Sequence, residues 1–359
     1  MTLAVDYRVE ASSAEAICGD HRISWHSPEI DFKAITGNFA LIACLPIAMR
    51  QGTHIHVNGN VDKRAVRHAW LLSHYWSQWR PELYKPVTIS ANEIIDAEAI
   101  DEGYAVCLSG GVDSTYSCLS ASSGRIPENH FNVEMGIFVQ GFDFSIADHE
   151  GFSKVLEAIR ESVRLRVVPV ETNWRDEICG QSGWGDLHTV GLAGVLHLFD
   201  GMFRGGLIGA DYTFHEDHAV APWSSNSTAN RLLGSGNFEI HPVGENATRL
   251  EKIRSIHGWG KLPLINVCWA GPRTGVNCAH CEKCLRTMLM CEALGIDPIP
   301  AFGRRPGPKD ISSLQLNSEG KIAFIQQTLD LPGSVLSKPL RRAAQLAIWK
   351  SRAKTWLGR

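Results

Sequence analysis

Three observations predict an α/β protein with a doubly wound, largely parallel sheet, preceded by a separate mixed α+β domain. Short apolar runs alternate with helical patterns between residues 99 and 300, as βαβ units require. The first of those runs breaks into Ser109-Gly110-Gly111, a strand-to-helix loop. Residues 1–98 lack this alternation and mix strand-like with helix-like stretches.

Asp6 to Trp25 holds short alternating runs such as Arg22-Ile23-Ser24-Trp25, which favour strands. Phe39 to Met49 is apolar throughout and reads as a buried helix. Thr53 to Val57 alternates like a strand, and Asn58-Gly59 reads as the turn that ends it. Val61 to Trp79 carries Trp70, Leu71, Tyr75 and Trp79 at helical spacing, an aromatic stripe suited to core packing. Lys85 to Ile89 reads as a further short strand. Next come a strand over Tyr104 to Leu108, a helix over Ser114 to Ser120 and a strand over Val133 to Val139. Phe152, Val155, Leu156, Ile159 and Val163 recur at three and four residues, an amphipathic helix. Leu165 to Val170, Leu187 to Phe199 and Leu207 to Gly209 continue as strand, helix and strand. Right-handed crossovers place the loops after these strands on one edge, where open α/β sheets bind ligands.

Arg304-Arg305-Pro306-Gly307-Pro308 reads as a linker into a tail of two helices over 301–359. The last, Pro339 to Leu357, sets Arg341, Arg342, Lys350, Arg352 and Lys354 beside Leu340, Leu346, Ile348 and Trp356. Such a basic amphipathic helix can meet nucleic acid or a membrane, but a solvated helix packed on the sheet domain is the favoured reading. The expected domains are therefore 1–98, 99–300 and 301–359.

Composition narrows the function classes. Lys and Arg total 35 against 38 Asp and Glu in 359 residues, a net charge of −3, which argues against a general polyanion binder. The opening MTLAVDYRVE has no basic stretch followed by an apolar run, so a secretory signal is not expected. The most apolar window, Phe39 to Met49, is too short to span a bilayer and contains Pro46. The expected location is cytoplasmic, without membrane attachment and with thiols kept reduced. Clustered thiols among the ten Cys then suggest metal binding or catalysis.

Ser109-Gly110-Gly111-Val112-Asp113-Ser114 is the sharpest local signal. Two glycines let the backbone turn and approach a phosphate closely. The helix that follows offers unpaired N–H groups and the positive end of its dipole. Ser109 and Ser114 add hydroxyl donors, and Asp113 is suited either to Mg²⁺ or to capping the helix. No Lys follows the glycines, which excludes the Gly-x-x-x-x-Gly-Lys loop. The second signal is Cys268-x9-Cys278-x2-Cys281-x2-Cys284, four thiolates able to close a tetrahedral zinc site with no open position. An iron–sulfur cluster can use the same ligands. Asp186, His188, Asp211, His215, Asp217 and His218 fall on two loops of the ligand edge. They read as hydrated loop residues, with acid–base chemistry or a second metal as the sharper alternative.

The loop resembles the Ser-Gly-Gly-x-Asp-Ser loop of the N-type ATP pyrophosphatases (the PP-loop superfamily) over all six positions. With the late Cys cluster ending in Cys-Leu-Arg, residues 104–300 resemble the 7-cyano-7-deazaguanine synthase family of queuosine biosynthesis. His241-Pro242-Val243 and Thr248-Arg249-Leu250-Glu251-Lys252 look like that family's Pro-Leu and Asp-Lys-x-Glu-Thr segments, with Arg249 where the family has Lys. The spacing before Cys278 is one residue longer than the family's, and residues 1–98 have no counterpart in it. The resemblance implies an adenine nucleotide alpha-hydrolase-like fold and ATP with its pyrophosphate on the loop. Adenine would lie near Phe138 and Gly141, and zinc on the four Cys. It further implies Asp113, Ser114 and Arg249 as the groups nearest the chemistry.

The expected reaction is ATP-dependent adenylation of a carboxyl or carbonyl oxygen, on a small molecule or a modified base, with pyrophosphate release. Ammonia or another amine would then attack. A tRNA-modifying thiolase and a non-catalytic ATP-binding sensor or subunit are the alternatives.

Overall fold

The computed structural model describes residues 2–101, 103–122, 124, 130–180, 183–268 and 276–357. Chain contacts divide the molecule into two compact units. Unit 1 comprises Met1–Ser109, Ser117–Ala147 and Val163–Glu245, and unit 2 comprises Gly110–Tyr116, Asp148–Ser162 and Asn246–Arg359.

Unit 1 is built on a sheet of ten strands, mixed but mostly parallel. In chain order the strands are β1 (Thr2–Glu10), β2 (Ser13–Cys18), β3 (His21–His26), β4 (His54–Asp62), β5 (Ile89–Ile95), β6 (Tyr104–Leu108), β7 (Val133–Gln140), β8 (Arg166–Thr172), β9 (Gly205–Gly209) and β10 (Glu239–Val243). They lie in the order β10-β9-β6-β7-β8-β3-β2-β1-β4-β5. From β10 to β8 every neighbouring pair is parallel. The chain runs from β6 outward through β7 and β8, then resumes on the other side of β6 with β9 and β10. This reversal beside β6 is compatible with a doubly wound arrangement, and it puts a switch point between the ends of β6 and β9.

The sequence sets a boundary after residue 98, but the strands on both sides of it share this sheet. Antiparallel β3 joins β8 through Trp25 opposite Thr172, and Asn173 Oδ1 accepts from Ser24 N at 2.8 Å. Helices α1 (Asn38–Gln51) and α2 (Lys63–Trp79) precede β5. The apolar run forms α1 as expected and continues through Pro46, with Asn38 to Met49 buried without a break. A helix buried on all sides has no need of an amphipathic pattern, which fits its uniformly apolar sequence.

Two local readings change. Asn58-Gly59 is not a turn: β4 runs on to Asp62 with an irregularity between Val57 and Asn60. Asn58 Nδ2 donates to Asp6 Oδ1 at 2.8 Å, and the Tyr7 ring lies over Gly59, so tertiary neighbours hold the Asn-Gly pair extended. The strand expected at Lys85 to Ile89 instead begins at Ile89. Asp62 then caps α2 by accepting from Arg64 N and Ala65 N.

The rest of unit 1 includes α5 (Trp184–Leu196), α6 (Phe214–Val220) and α7 (Ser227–Arg231). Helix α3 (Val112–Ser122) begins in unit 2 and ends in unit 1. Unit 2 holds α4 (His149–Ser162), α8 (Arg249–Gly258), α9 (Glu282–Ala293), α10 (Pro308–Ser312), α11 (Glu319–Asp330) and α12 (Lys338–Leu357), with no strand among its described residues. The tail thus has three helices rather than two, because Gly307-Pro308 starts a short helix of its own. Among the described residues no helix is long and apolar enough to cross a membrane.

Candidate metal centre and phosphate loop

Unit 2 gathers the Cys cluster. The Sγ atoms of Cys268, Cys278, Cys281 and Cys284 all lie within 4.8 Å of one another. Cys278 is 3.9 Å from Cys284, and Cys281 is 4.0 Å from Cys268. A tetrahedral ion with metal–sulfur bonds of about 2.3 Å sets its sulfurs roughly 3.8 Å apart, so the donor set fits one ion such as zinc. A polynuclear cluster would need its thiolates further apart.

Local sequence explains the convergence. Ala279 takes the left-handed conformation with φ 58°, which folds Cys278-Ala279-His280-Cys281 into a tight turn. The N–H groups of His280 and Cys281 donate to Cys278 Sγ at 3.4 and 3.2 Å. Cys281 is the N-cap of α9, and Cys284 lies in its first turn, where the helix dipole favours negative charge. Asn277 ties the segments together: its Oδ1 accepts from Val267 N at 2.8 Å, and its Nδ2 donates to Ile265 O at 2.8 Å and Ala301 O at 3.0 Å. The neighbouring Cys281 thiol, then burial, pushes the Cys284 thiol far up. Among the described residues these four form the one group of three or more Cys, His, Asp or Glu close enough to share an ion.

The Ser109–Ser114 loop follows β6 and opens α3, the expected strand–loop–helix context. Gly110 has φ 74°, a conformation that L side chains rarely adopt. Its carbonyl accepts from Asn266 N at 2.8 Å, which links the loop to the segment bearing Cys268. Val112 is the buried first residue of α3, with Asp113 and Ser114 in the first turn. Ser114 Oγ reaches Gly111 O at 3.4 Å. Ser109 belongs to unit 1.

Asp113 pairs with Arg249 through Oδ2 and with Lys252 through Oδ1, the latter at 3.3 Å. The Lys252 side chain is fully buried and that of Arg249 is 10% exposed. Both cations sit on α8, which Thr248 and Glu251 start as a reciprocal capping box. Glu251, carried by the family resemblance, therefore has a structural duty here. The Arg249 guanidinium stacks over Phe324 of α11 at 4.5 Å, and Arg286 of α9 lies 4.4 Å from the same ring. Tyr116 stacks on Trp259 with ring centroids 5.7 Å apart, and Lys252 Nζ is 6.0 Å from the Tyr116 ring. The Phe324 stack had no sequence signal, because its members lie far apart in the chain.

In unit 1, Phe138 is 1% exposed and packs edge-on against Phe144, so its ring is a core element. Gly141 follows β7 with φ 99°, and a Cβ there would meet Thr172 O at 1.8 Å, so only glycine fits. The polar loop residues separate into pairs. Asp186 meets Arg80 at 3.3 Å, and burial holds its carboxyl above the ordinary range. His188 Nδ1 donates to Trp184 O at 3.1 Å, and its Nε2 lies 3.9 Å from Asp211 Oδ2. Asp211 also accepts from Trp223 Nε1 at 2.7 Å. Asp217 accepts from Ser227 N at 2.9 Å, while His215 and His218 are exposed on α6.

Fold and site together define an α/β protein with a four-thiol centre able to hold a metal ion. Comparison with family models, with curated proteins and with solved structures gave no match.

Proposed function

We propose that the chain is an ATP-dependent, AMP-forming ligase of the PP-loop type, related in chemistry to 7-cyano-7-deazaguanine synthases. The observation that carries this reading is the Ser109–Ser114 loop between β6 and α3, with Arg249 and Lys252 held beside it on Asp113. The N–H groups at the start of α3 and the Ser114 hydroxyl receive the pyrophosphate part of ATP. Arg249 and Lys252 supply countercharge for the leaving group. An acceptor carboxylate oxygen attacks the α-phosphorus, the α–β bridging bond breaks, and pyrophosphate departs with the electron pair. Ammonia or an amine then attacks the acyl carbon and AMP leaves.

Asp113 has one oxygen on Arg249 and the other on Lys252, which does not fit a Mg²⁺ ligand, and no step is assigned to that ion. Zinc on Cys268, Cys278, Cys281 and Cys284 would be structural, since four protein ligands leave no open position. The thiolase alternative needs a reactive Cys outside the cluster, and the other six Cys are buried. Burial alone pushes the Cys107 thiol up, and it raises Cys118 and Cys291 to about 12.

The test is release of AMP and pyrophosphate by the purified protein from ATP, ammonium and a panel of carboxylates. Ser114→Ala should cut the rate by one to two orders of magnitude, with melting unchanged. Absence of both nucleotide binding and turnover would defeat the proposal.

A further inference from the structure

Helix α12 leaves one face uncovered. Its buried side is Leu340, Ala343, Ala344, Ala347, Ile348 and Ser351. Lys338, Arg342, Gln345, Trp349 and Arg352 are exposed and follow one another at intervals of four and three residues, so they form a single stripe along the helix. Lys350 and Lys354 lie beside the stripe, and the helix carries no Asp or Glu. Trp349 is 66% exposed at the centre of these cations.

Beside Trp349 is a cavity of about 310 Å³ between α11 and α12. Its walls include Gln326, Asp330, Arg341, Gln345, Trp349 and Arg352. Arg341 is fixed there by donating to Leu329 O at 2.7 Å. Gln326 Nε2 donates to both Asp330 oxygens, at 2.9 and 3.0 Å. The cavity therefore combines a flat aromatic wall, two guanidinium groups and an amide–carboxylate pair.

A stacking face set in a track of cations is the chemistry that single-stranded nucleic acid requires. Arg342 and Arg352 stand roughly 15 Å apart at 1.5 Å of helix rise per residue, a span longer than a free nucleotide needs. A membrane surface fits less well. Among the described residues the large exposed apolar side chains of α12 are Leu346 and Trp349, flanked by Arg342, Lys350 and Arg352, and the cavity walls are mostly polar, whereas an interfacial helix buries a continuous apolar face. Asp330 would repel a phosphate, but it can accept from a ribose 2′-hydroxyl, the group that separates RNA from DNA.

We propose that α12 is a binding site for single-stranded RNA. One base stacks on Trp349 in the cavity, its 2′-hydroxyl meets Asp330, and the phosphates follow Lys338, Arg342 and Arg352. This site stands whether or not the Ser109–Ser114 loop takes ATP.

The test is fluorescence anisotropy of the full-length protein with a labelled single-stranded RNA of about 12 nucleotides, titrated at several salt concentrations. Three neutralised phosphates predict a log–log salt slope of about −2. Trp349→Ala should weaken binding about tenfold, while Trp349→Phe keeps most of it. Arg342→Gln with Arg352→Gln should weaken binding and flatten the salt slope, and Asp330→Asn should shrink the preference for RNA over DNA of the same sequence. Because Trp349 is exposed, its variants should melt as the parent does. RNA affinity unchanged in Trp349→Ala would overturn the proposal, as would equal affinity of the parent for DNA. Binding to phosphatidylserine vesicles without RNA binding would reassign the face to a membrane. A dimer abolished by Trp349→Ala, with no RNA binding, would reassign it to self-association.

Discussion

The two charged clusters of unit 2 are built in opposite ways. Three of the four thiols come from one turn and the start of one helix, Cys278 to Cys284. Asp113 instead meets cations 136 and 139 residues away in the chain. The thiols repel one another as they ionise, and a bound cation would relieve that repulsion. Asp113, Arg249 and Lys252 pair with one another, but only after distant segments have folded together. A cluster completed by a ligand can be short in sequence, whereas a cluster that completes itself needs the whole unit.

The largest effect that would break this contrast is metal removal. A strong chelator, or Cys281→Ser, should release about one zinc per chain and abolish the cooperative melting of unit 2, because structural zinc contributes on the order of 10 kcal/mol in small domains. Elemental analysis and calorimetry would report it. A chain lacking all four Cys that melts like the parent would remove the metal from the comparison.

Next comes the self-satisfied cluster. Asp113→Ala leaves fully buried Lys252 without its carboxylate and should cost about 3–5 kcal/mol in urea unfolding. Lys252→Met should cost less, since Arg249 still holds Asp113. A larger loss in Lys252→Met than in Asp113→Ala would show that Lys252, not Asp113, organises the cluster.

Unit 1 adds two buried titratable groups, His197 and Asp200, that are held by neutral hydrogen bonds. Burial lowers His197 to about 4 and raises Asp200 to about 6. His197 is depressed, so its stabilising neutral form is fully present above the unfolded value near 6.5 and is lost as pH falls toward 4. That shift corresponds to about 3 kcal/mol. Asp200 is raised, so its contribution is present below the unfolded value near 3.8 and is lost as pH rises through 6. The two slopes oppose each other between pH 4 and 6. Parent stability should be nearly flat there. His197→Gln should gain stability on acidification and Asp200→Asn should lose it. Parallel profiles in the two variants would contradict this assignment.

The smallest effect concerns Phe324. Phe324→Leu keeps most of the apolar volume but removes the ring under Arg249 and Arg286. It should cost about 1–2 kcal/mol, with Phe324→Tyr retaining most of the stability. If Phe324→Leu is neutral, the stacked guanidinium groups add nothing to the cluster.

Much of the fold was legible where the signal is local. Phe39 to Met49 forms its helix, Val133 to Val139 its strand, and Phe152 to Ile159 the buried face of α4. The Cys cluster was legible because its turn is written in adjacent residues. That the strands on both sides of residue 98 share one sheet was not, since pairing of β3 with β8 leaves no periodic trace in either strand. Phe138 could be placed on a strand, but whether its ring faced a ligand or the core depended on Phe144.

Helical periodicity, a glycine-opened loop and a turn of thiols are set by a residue's own neighbours and could be read from the chain. That ten strands share one sheet, that Asp113 lies between Arg249 and Lys252, and that Trp349 stands uncovered over a polar cavity emerged from the fold alone. The physical reason is range. Backbone propensity and capping act over a few residues, whereas strand pairing, buried ion pairs and exposure depend on segments more than a hundred residues apart or on which face of a helix another element covers.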